Sequence, residues 1–116
     1  MEAFAVTKYV RMSPFKVRRV AELIRGKDVD AAISILHFTP KAAAIPLEKT
    51  LRSAAANLSN VYEGASKIEP DEIFIKEVRV DEGPTMKRFR AASMGRAMRI
   101  RRRTSHIKIV VATEEF

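Results

Sequence analysis

Glu82-Gly83-Pro84-Thr85-Met86-Lys87-Arg88-Phe89-Arg90-Ala91-Ala92-Ser93-Met94-Gly95-Arg96-Ala97-Met98 is the stretch on which the reading of this fold turns. Before it, residues 71–81 read as a strand, with Phe74, Val78 and Val80 on one face and Ile73 and Ile75 on the other. After it, residues 99–113 read as a return strand in which Ile107, Ile109 and Val111 alternate with His106, Lys108 and Val110. An ordinary hairpin loop has about two to five residues, so the connection over 82–98 is too long to be one. Its apolar residues are few and mostly small, and they cannot build a second core. The expectation is a single domain, 1–116, with 82–98 as an extended hairpin arm bent at Gly83-Pro84 and Gly95.

Charge says what the arm is for. Between Gly83 and Lys108 the chain carries Lys87, Arg88, Arg90, Arg96, Arg99, Arg101, Arg102, Arg103 and Lys108, with no Asp or Glu among them. So many like charges repel one another and call for an anionic partner. The bland reading is a solvated loop that only aids solubility. The bends at the glycines and the continuation of the cations into the return strand favour a defined arm instead. If all nine cations met phosphates, log affinity would fall with log salt at a slope of roughly −6 to −8.

The whole chain points the same way. Its 116 residues include 22 Lys or Arg against 14 Asp or Glu, a net charge of +8, and the isoelectric point is near 10.2. Such a balance suits nucleic acid or an anionic membrane surface. A membrane-surface helix needs a bulky apolar face, whereas the basic run holds helix-breaking Gly83, Pro84 and Gly95 and no Leu or Trp. Nucleic acid is the better match, and no membrane partner is expected. The N-terminus shows no signal-peptide pattern, and the lack of Cys fits a reducing compartment.

Upstream, residues 3–10 read as an opening strand. Ser13-Pro14 is a helix start, with Ser13 as the cap, Val17, Val20, Ala21 and Ile24 at helical spacing, and Gly26 as a left-handed close. Lys8, Arg11, Lys16, Arg18, Arg19, Arg25 and Lys27 make a second basic patch there, which could equally be an ordinary polar helix face. Asp28 opens a second helix. Thr39-Pro40 is expected to open the longest one, reaching about Tyr62, with Leu47, Leu51, Ala54, Leu58 and Val61 as its buried stripe. Pro46 falls inside it, which predicts a kink or a helix regular only afterwards.

No catalytic residue, metal site or cofactor is expected. The two histidines, His37 and His106, are far apart, and neither a cysteine nor a glycine-rich phosphate loop is present. Glu69, Asp71 and Glu72 read as solvated acids at a strand entry. Ser105 and His106 are adjacent on a strand and so face opposite ways, which spoils a nucleophile–base pair.

Several segments together resemble a known family. They are Val10-Arg11-Met12-Ser13-Pro14-Phe15-Lys16-Val17-Arg18, Leu23-Ile24-Arg25-Gly26-Lys27, Phe38-Thr39-Pro40-Lys41-Ala42-Ala43, Leu51-Arg52-Ser53-Ala54-Ala55-Ala56-Asn57, Val80-Asp81-Glu82-Gly83-Pro84-Thr85-Met86-Lys87-Arg88, Gly95-Arg96-Ala97 and Arg103-Thr104-Ser105-His106-Ile107. In order and over nearly the whole chain, they are similar to the large-subunit ribosomal protein family numbered twenty-two, in its short bacterial form. The resemblance implies an α+β fold of three helices packed on a small three-stranded antiparallel sheet, with a long protruding basic β-hairpin. It implies a cytoplasmic, ribosome-bound structural protein that binds large-subunit ribosomal RNA and supports subunit assembly. The hairpin would reach the peptide exit tunnel, with Met94 and Gly95 near its tip beside the nascent peptide. Neighbouring large-subunit proteins would be further partners, and no homo-oligomer is expected.

By position, the family's RNA-facing motifs fall on Arg11, Ser13, Lys16, Arg18, Arg25 and Lys27 and on Gly83, Lys87, Arg88, Gly95, Arg96, Arg101, Arg102, Arg103, Thr104 and His106. Arg90 and Arg99 join the RNA-binding set as arm cations. The chain departs from the family at Ala91-Ala92-Ser93, where Pro-Arg-Ala is usual, and at Pro46. A winged-helix DNA-binding protein is the alternative, since three helices and a basic hairpin are also its layout. The long helix would then be its recognition helix, although Lys41, Glu48, Lys49, Arg52 and Asn57 make a thin, mixed-charge outer face.

Overall fold

Ile107, Ile109 and Val111 are fully buried, and even Val110 and Ala112 on the other side of the same strand are nearly so. A strand this apolar on both faces belongs in the middle of a sheet. The computed structural model, which describes residues 2–61, 72–83, 86–91 and 97–113, places it there. In chain order the elements are β1 (Glu2–Val10), α1 (Pro14–Ala21), α2 (Val29–Phe38), α3 (Ala44–Val61), β2 (Ile73–Glu82), β3 (Met86–Ala91), β4 (Ala97–Arg102) and β5 (Ser105–Thr113). Strands β1, β5 and β2 form a three-stranded antiparallel sheet in that order, and β3 and β4 form a two-stranded antiparallel ribbon. The architecture is the expected α+β fold.

Three helices cover one face of the sheet. The stripe Leu47, Leu51, Ala54 and Leu58 of α3 is wholly buried against β1 and β5. Polar bonds fix its register: Thr7 Oγ1 and Thr50 Oγ1 lie 2.6 Å apart, and Asn57 Nδ2 donates to the Phe4 carbonyl at 2.9 Å. Helix α2 starts where Asp28 accepts the Ala31 amide at 2.7 Å, the cap expected of that residue. The connection between α1 and α2 runs along the outer edge of β2. There the Ile75 amide donates to the Lys27 carbonyl at 2.9 Å, and Asp28 bridges to Phe74.

Several local expectations are corrected. Ser13 does precede α1, but its hydroxyl makes no capping bond; its carbonyl instead accepts the Lys16 and Val17 amides. The helix ends at Ala21, and tighter i to i+3 bonds carry the chain to Gly26, whose φ of 77° explains the glycine. Thr39-Pro40 closes α2 instead of opening α3, with the Thr39 amide and hydroxyl bonding back to the carbonyls of Leu36 and Ile35. Helix α3 begins at Ala44, so Pro46 lies in its first turn, where an amide has no intrahelical partner and proline breaks nothing.

The faces of β2 also differ from the alternation read in the sequence. Ile75 pairs with Val111 and Val78 with Ile109, so β2 takes three steps where β5 takes two. This bulge brings Ile73, Ile75, Val78 and Val80 onto one buried face.

Candidate nucleic-acid interface

The arm follows directly on the sheet as a separate two-stranded ribbon. Glu82 pairs with Ser105, the Gly83 amide donates to the Thr104 carbonyl at 2.9 Å, and pairing resumes with Met86 opposite Arg102. It continues through Lys87–Arg101, Arg88–Ile100, Phe89–Arg99 and Arg90–Met98 to Ala91–Ala97. Lys87, Arg88, Arg90, Arg99, Arg101 and Arg102 therefore stand on a single ribbon, and four of them face an apolar residue across it in register. The molecule's extents are 67 × 25 × 15 Å and its radius of gyration is 17.5 Å, against roughly 13 Å for a compact chain of this length. Pro84, Met94, Gly95 and Arg96 lie outside the described residues.

The second basic patch divides in two. Val10 pairs with Ser105, whose hydroxyl donates to the Met12 carbonyl at 2.7 Å, so the segment leading into α1 is tied to the root of the arm. Arg18 reaches the same region, donating from Nε at 3.1 Å and from Nη2 at 2.7 Å to the Val80 carbonyl. Arg11, Lys16 and Arg18 on one side and Arg103 on the other thus gather where the ribbon leaves the domain, all of them exposed. Among the described residues Arg11, Lys16 and Arg103 form no ion pair. Ser13 is half-buried between Arg11 and Lys16.

Arg25 and Lys27 do not join this group. They sit by the Ile75 end of β2, about 16 Å from Val80 at five strand steps. Arg25 is also paired with Glu22 at 3.1 Å. Elsewhere some cations are paired with acids: Lys76 with Glu2 at 2.6 Å, Arg79 with Glu77 at 3.5 Å and Arg52 with Glu48 at 3.3 Å. The hydrogen bond from Lys76, and then its charge, lowers the Glu2 carboxyl below its usual range, while Glu2 raises Lys76. Lys108 lies over the Phe4 ring at 4.9 Å, so it is turned onto the sheet face and away from the arm.

His106 is half-buried at the arm's root. Its Nδ1 accepts the Tyr9 amide at 3.1 Å, and the two rings meet edge to face with centroids 5.1 Å apart. Tyr9 was not legible as part of this site. It lies on an exposed strand end and adopts a φ of 60°, for which a tyrosine gives no sequence signal. The long helix carries little that could read a DNA groove: Arg52 is held by Glu48, and Asn57 by Phe4. No group of His, Cys, Asp and Glu among the described residues could hold a metal ion. No helix there is long and apolar enough to cross a membrane.

Comparison with known proteins adds to this geometry. Residues 5–112 match the family model described as ribosomal protein L22p/L17e. The large ribosomal subunit protein uL22 of Desulfitobacterium hafniense (strain Y51) is 51% identical over 114 residues, covering 98% of this chain and 96% of that protein. The uL22 of Bifidobacterium longum (strain DJO10A) is 51% identical over 116 residues, covering 99% and 98%. That of Halothermothrix orenii (strain H 168) is 50% identical over 115 residues, again covering 99% and 98%.

Proposed function

The chain belongs to the ribosomal protein L22p/L17e family, a structural and non-enzymatic component of the large ribosomal subunit, and from that premise we propose how it binds there. It grips large-subunit ribosomal RNA with two connected surfaces. One is the β3–β4 ribbon, bearing Lys87, Arg88, Arg90, Arg99, Arg101 and Arg102, with Arg96 beyond them toward the tip. The other is the root cluster of Arg11, Ser13, Lys16, Arg18 and Arg103, bordered by His106. Arg25 and Lys27 extend the contact along the far end of β2.

The observation that carries this reading is the β3–β4 ribbon that follows directly on β2–β5 and gathers six cations and no acid. An isolated two-stranded ribbon is marginal in water, so phosphate contacts supply what packing does not. Structured RNA presents a deep, narrow major groove, and recognition through phosphates, shape and 2′-hydroxyls suits a ribbon with Phe89 as its one aromatic residue.

The tip, with Met94 and Gly95, reaches the peptide exit tunnel beside the nascent peptide, and the domain meets neighbouring large-subunit proteins. The protein acts in the cytoplasm, bound to the ribosome as a single copy, and it supports subunit assembly. Depletion followed by gradient profiling of ribosomal particles tests this. Incomplete large subunits are expected to accumulate, and a normal particle profile would overturn the assembly role.

A further inference from the structure

We propose that Tyr9, Gly83, Thr104 and His106 form a positioning site that sets the direction in which the basic ribbon leaves the sheet. The functional consequence rests on the ribbon being the RNA-binding arm; the geometry does not.

On one neighbour of β5, the strand β1, a residue is gained at the level of His106. On one side β1 takes three steps from Thr7 to Val10 while β5 takes two from Ile107 to Ser105. On the other side β2 ends at Glu82 opposite Ser105, and the pairing of the ribbon begins at Met86 opposite Arg102. Bulges of this kind bend a strand and re-aim the residues beyond them. The bulge of β1 beside His106, at the end of β5 where the three-stranded sheet gives way to the ribbon, marks a corner.

Side chains hold that corner. Tyr9 keeps its φ of 60° while its amide donates to His106 Nδ1 and its ring abuts the imidazole at an interplanar angle of 89°. A non-glycine residue stays in that region only when its surroundings hold it there. An Nδ1 that accepts a hydrogen bond carries no proton, so the same contact fixes the ring's tautomer and orientation. The ring in turn lies against Gly83. A Cβ on Gly83 would sit 2.4 Å from Thr104 Oγ1, 3.1 Å from His106 Cε1 and 3.3 Å from His106 Nε2. The outgoing strand therefore passes under Thr104 and His106 with no room for a side chain. Tyr9, Gly83 and His106 are not buried in the domain, and Thr104 is the one buried member of the four.

Small changes at this corner have leverage. Eight extended residues reach about 26 Å, so a tilt of about 10° at the corner moves a point that far along the chain by about 4–5 Å.

The chain has no cysteine, so spin labels at Ala56→Cys on α3 and Ala91→Cys on β3 report the angle in the full-length protein without RNA. The unsubstituted corner is expected to give one narrow distance population. Gly83→Ala is expected to shift it by about 4 Å or to broaden it, with the domain still folded. Adding Thr104→Ala, which removes the nearest clashing atom, is expected to bring most of the population back. His106→Phe keeps an aromatic ring but removes the acceptor and is expected to broaden the distribution, which covers the case in which Gly83→Ala does not fold. An unchanged distribution in Gly83→Ala, or in His106→Phe, overturns the proposal, as does a double variant with no recovery. Because RNA is absent, these outcomes are separate from whether the arm binds it.

Discussion

Excision of residues 86–102, joining Thr85 to Arg103, removes the whole β3–β4 ribbon and tests whether arm and domain are separate units. The Gly83–Thr104 hydrogen bond is kept, and Pro84, Thr85 and Arg103 become a three-residue hairpin loop, a length that natural hairpins use. Every residue of the described hydrophobic core cluster is kept. The path between the paired residues Glu82 and Ser105 falls from 23 steps to 6, which by the loop-closure relation stabilises the domain by about 1.2 kcal/mol. The lost ribbon offsets part of this, since an isolated hairpin contributes little net stability. The thermal midpoint should therefore stay constant or rise by up to about 5 °C.

RNA binding should respond in the opposite direction. The excision takes away Lys87, Arg88, Arg90, Arg96, Arg99, Arg101 and Arg102. If each meets a phosphate, the slope of log affinity against log salt for a large-subunit RNA transcript becomes shallower by roughly 5 to 6. Differential scanning calorimetry and a salt series of filter-binding isotherms measure the two quantities. A midpoint lowered by more than about 5 °C, or loss of the cooperative transition, would refute the separation of arm from core. An unchanged salt slope would refute the arm's role in binding phosphate.

Three further outcomes concern single side chains. Arg18→Ala should lower stability by about 1 kcal/mol, because the Val80 carbonyl loses its charged donor, while Lys16→Ala should not; both should weaken RNA binding. Chemical denaturation of the two variants, beside binding isotherms, separates these roles. Gly26→Ala should cost about 1–2 kcal/mol from backbone strain alone, since nothing lies within 4 Å of the added methyl group, and Gly26→Asn should cost less in the same assay. Titration of the Glu2 carboxyl by NMR should give a value below the usual carboxylate range that returns toward it in Lys76→Gln. The Glu2 contribution to stability is present above its unfolded-state value and fades as pH falls through the lowered folded one. Lys76, being raised, contributes below its unfolded-state value and loses that contribution as pH rises through the folded one. Both groups are fully exposed, so the effect on the unfolding midpoint should be slight.

The arm was the most legible part of the molecule, because a charge run without acids and two apolar flanks of strand period are features of composition. The buried face of β5 was legible too, in Ile107, Ile109 and Val111, but not its central place in the sheet. What escaped were features that depend on pairing across the chain. The bulge opposite Val110 reverses which residues of β2 share a face, and no residue between Ile75 and Val78 announces it. Thr39-Pro40 is a start signal by type, yet here it ends a helix, because the Thr39 amide and hydroxyl are taken by the turn before it. Pro46 is a break only in a helix that starts at Pro40, and α3 starts at Ala44. In the interface, charge located the cations but not their grouping. Arg11, Lys16 and Arg18 meet the arm because Ser105 and Val80, far along the chain, hold the backbone and guanidinium beside them.

The central claim is that the basic ribbon and its root lie in large-subunit ribosomal RNA. Site-specific photo-crosslinking from arm positions such as Phe89 and Met98, and from Lys16 at the root, in intact large subunits addresses it directly. The account predicts crosslinks from all three positions to large-subunit RNA, whereas an exposed position on α3 such as Lys49 should give far fewer. Arm positions that crosslink only to protein, or not at all, while Lys49 labels RNA strongly, would contradict it.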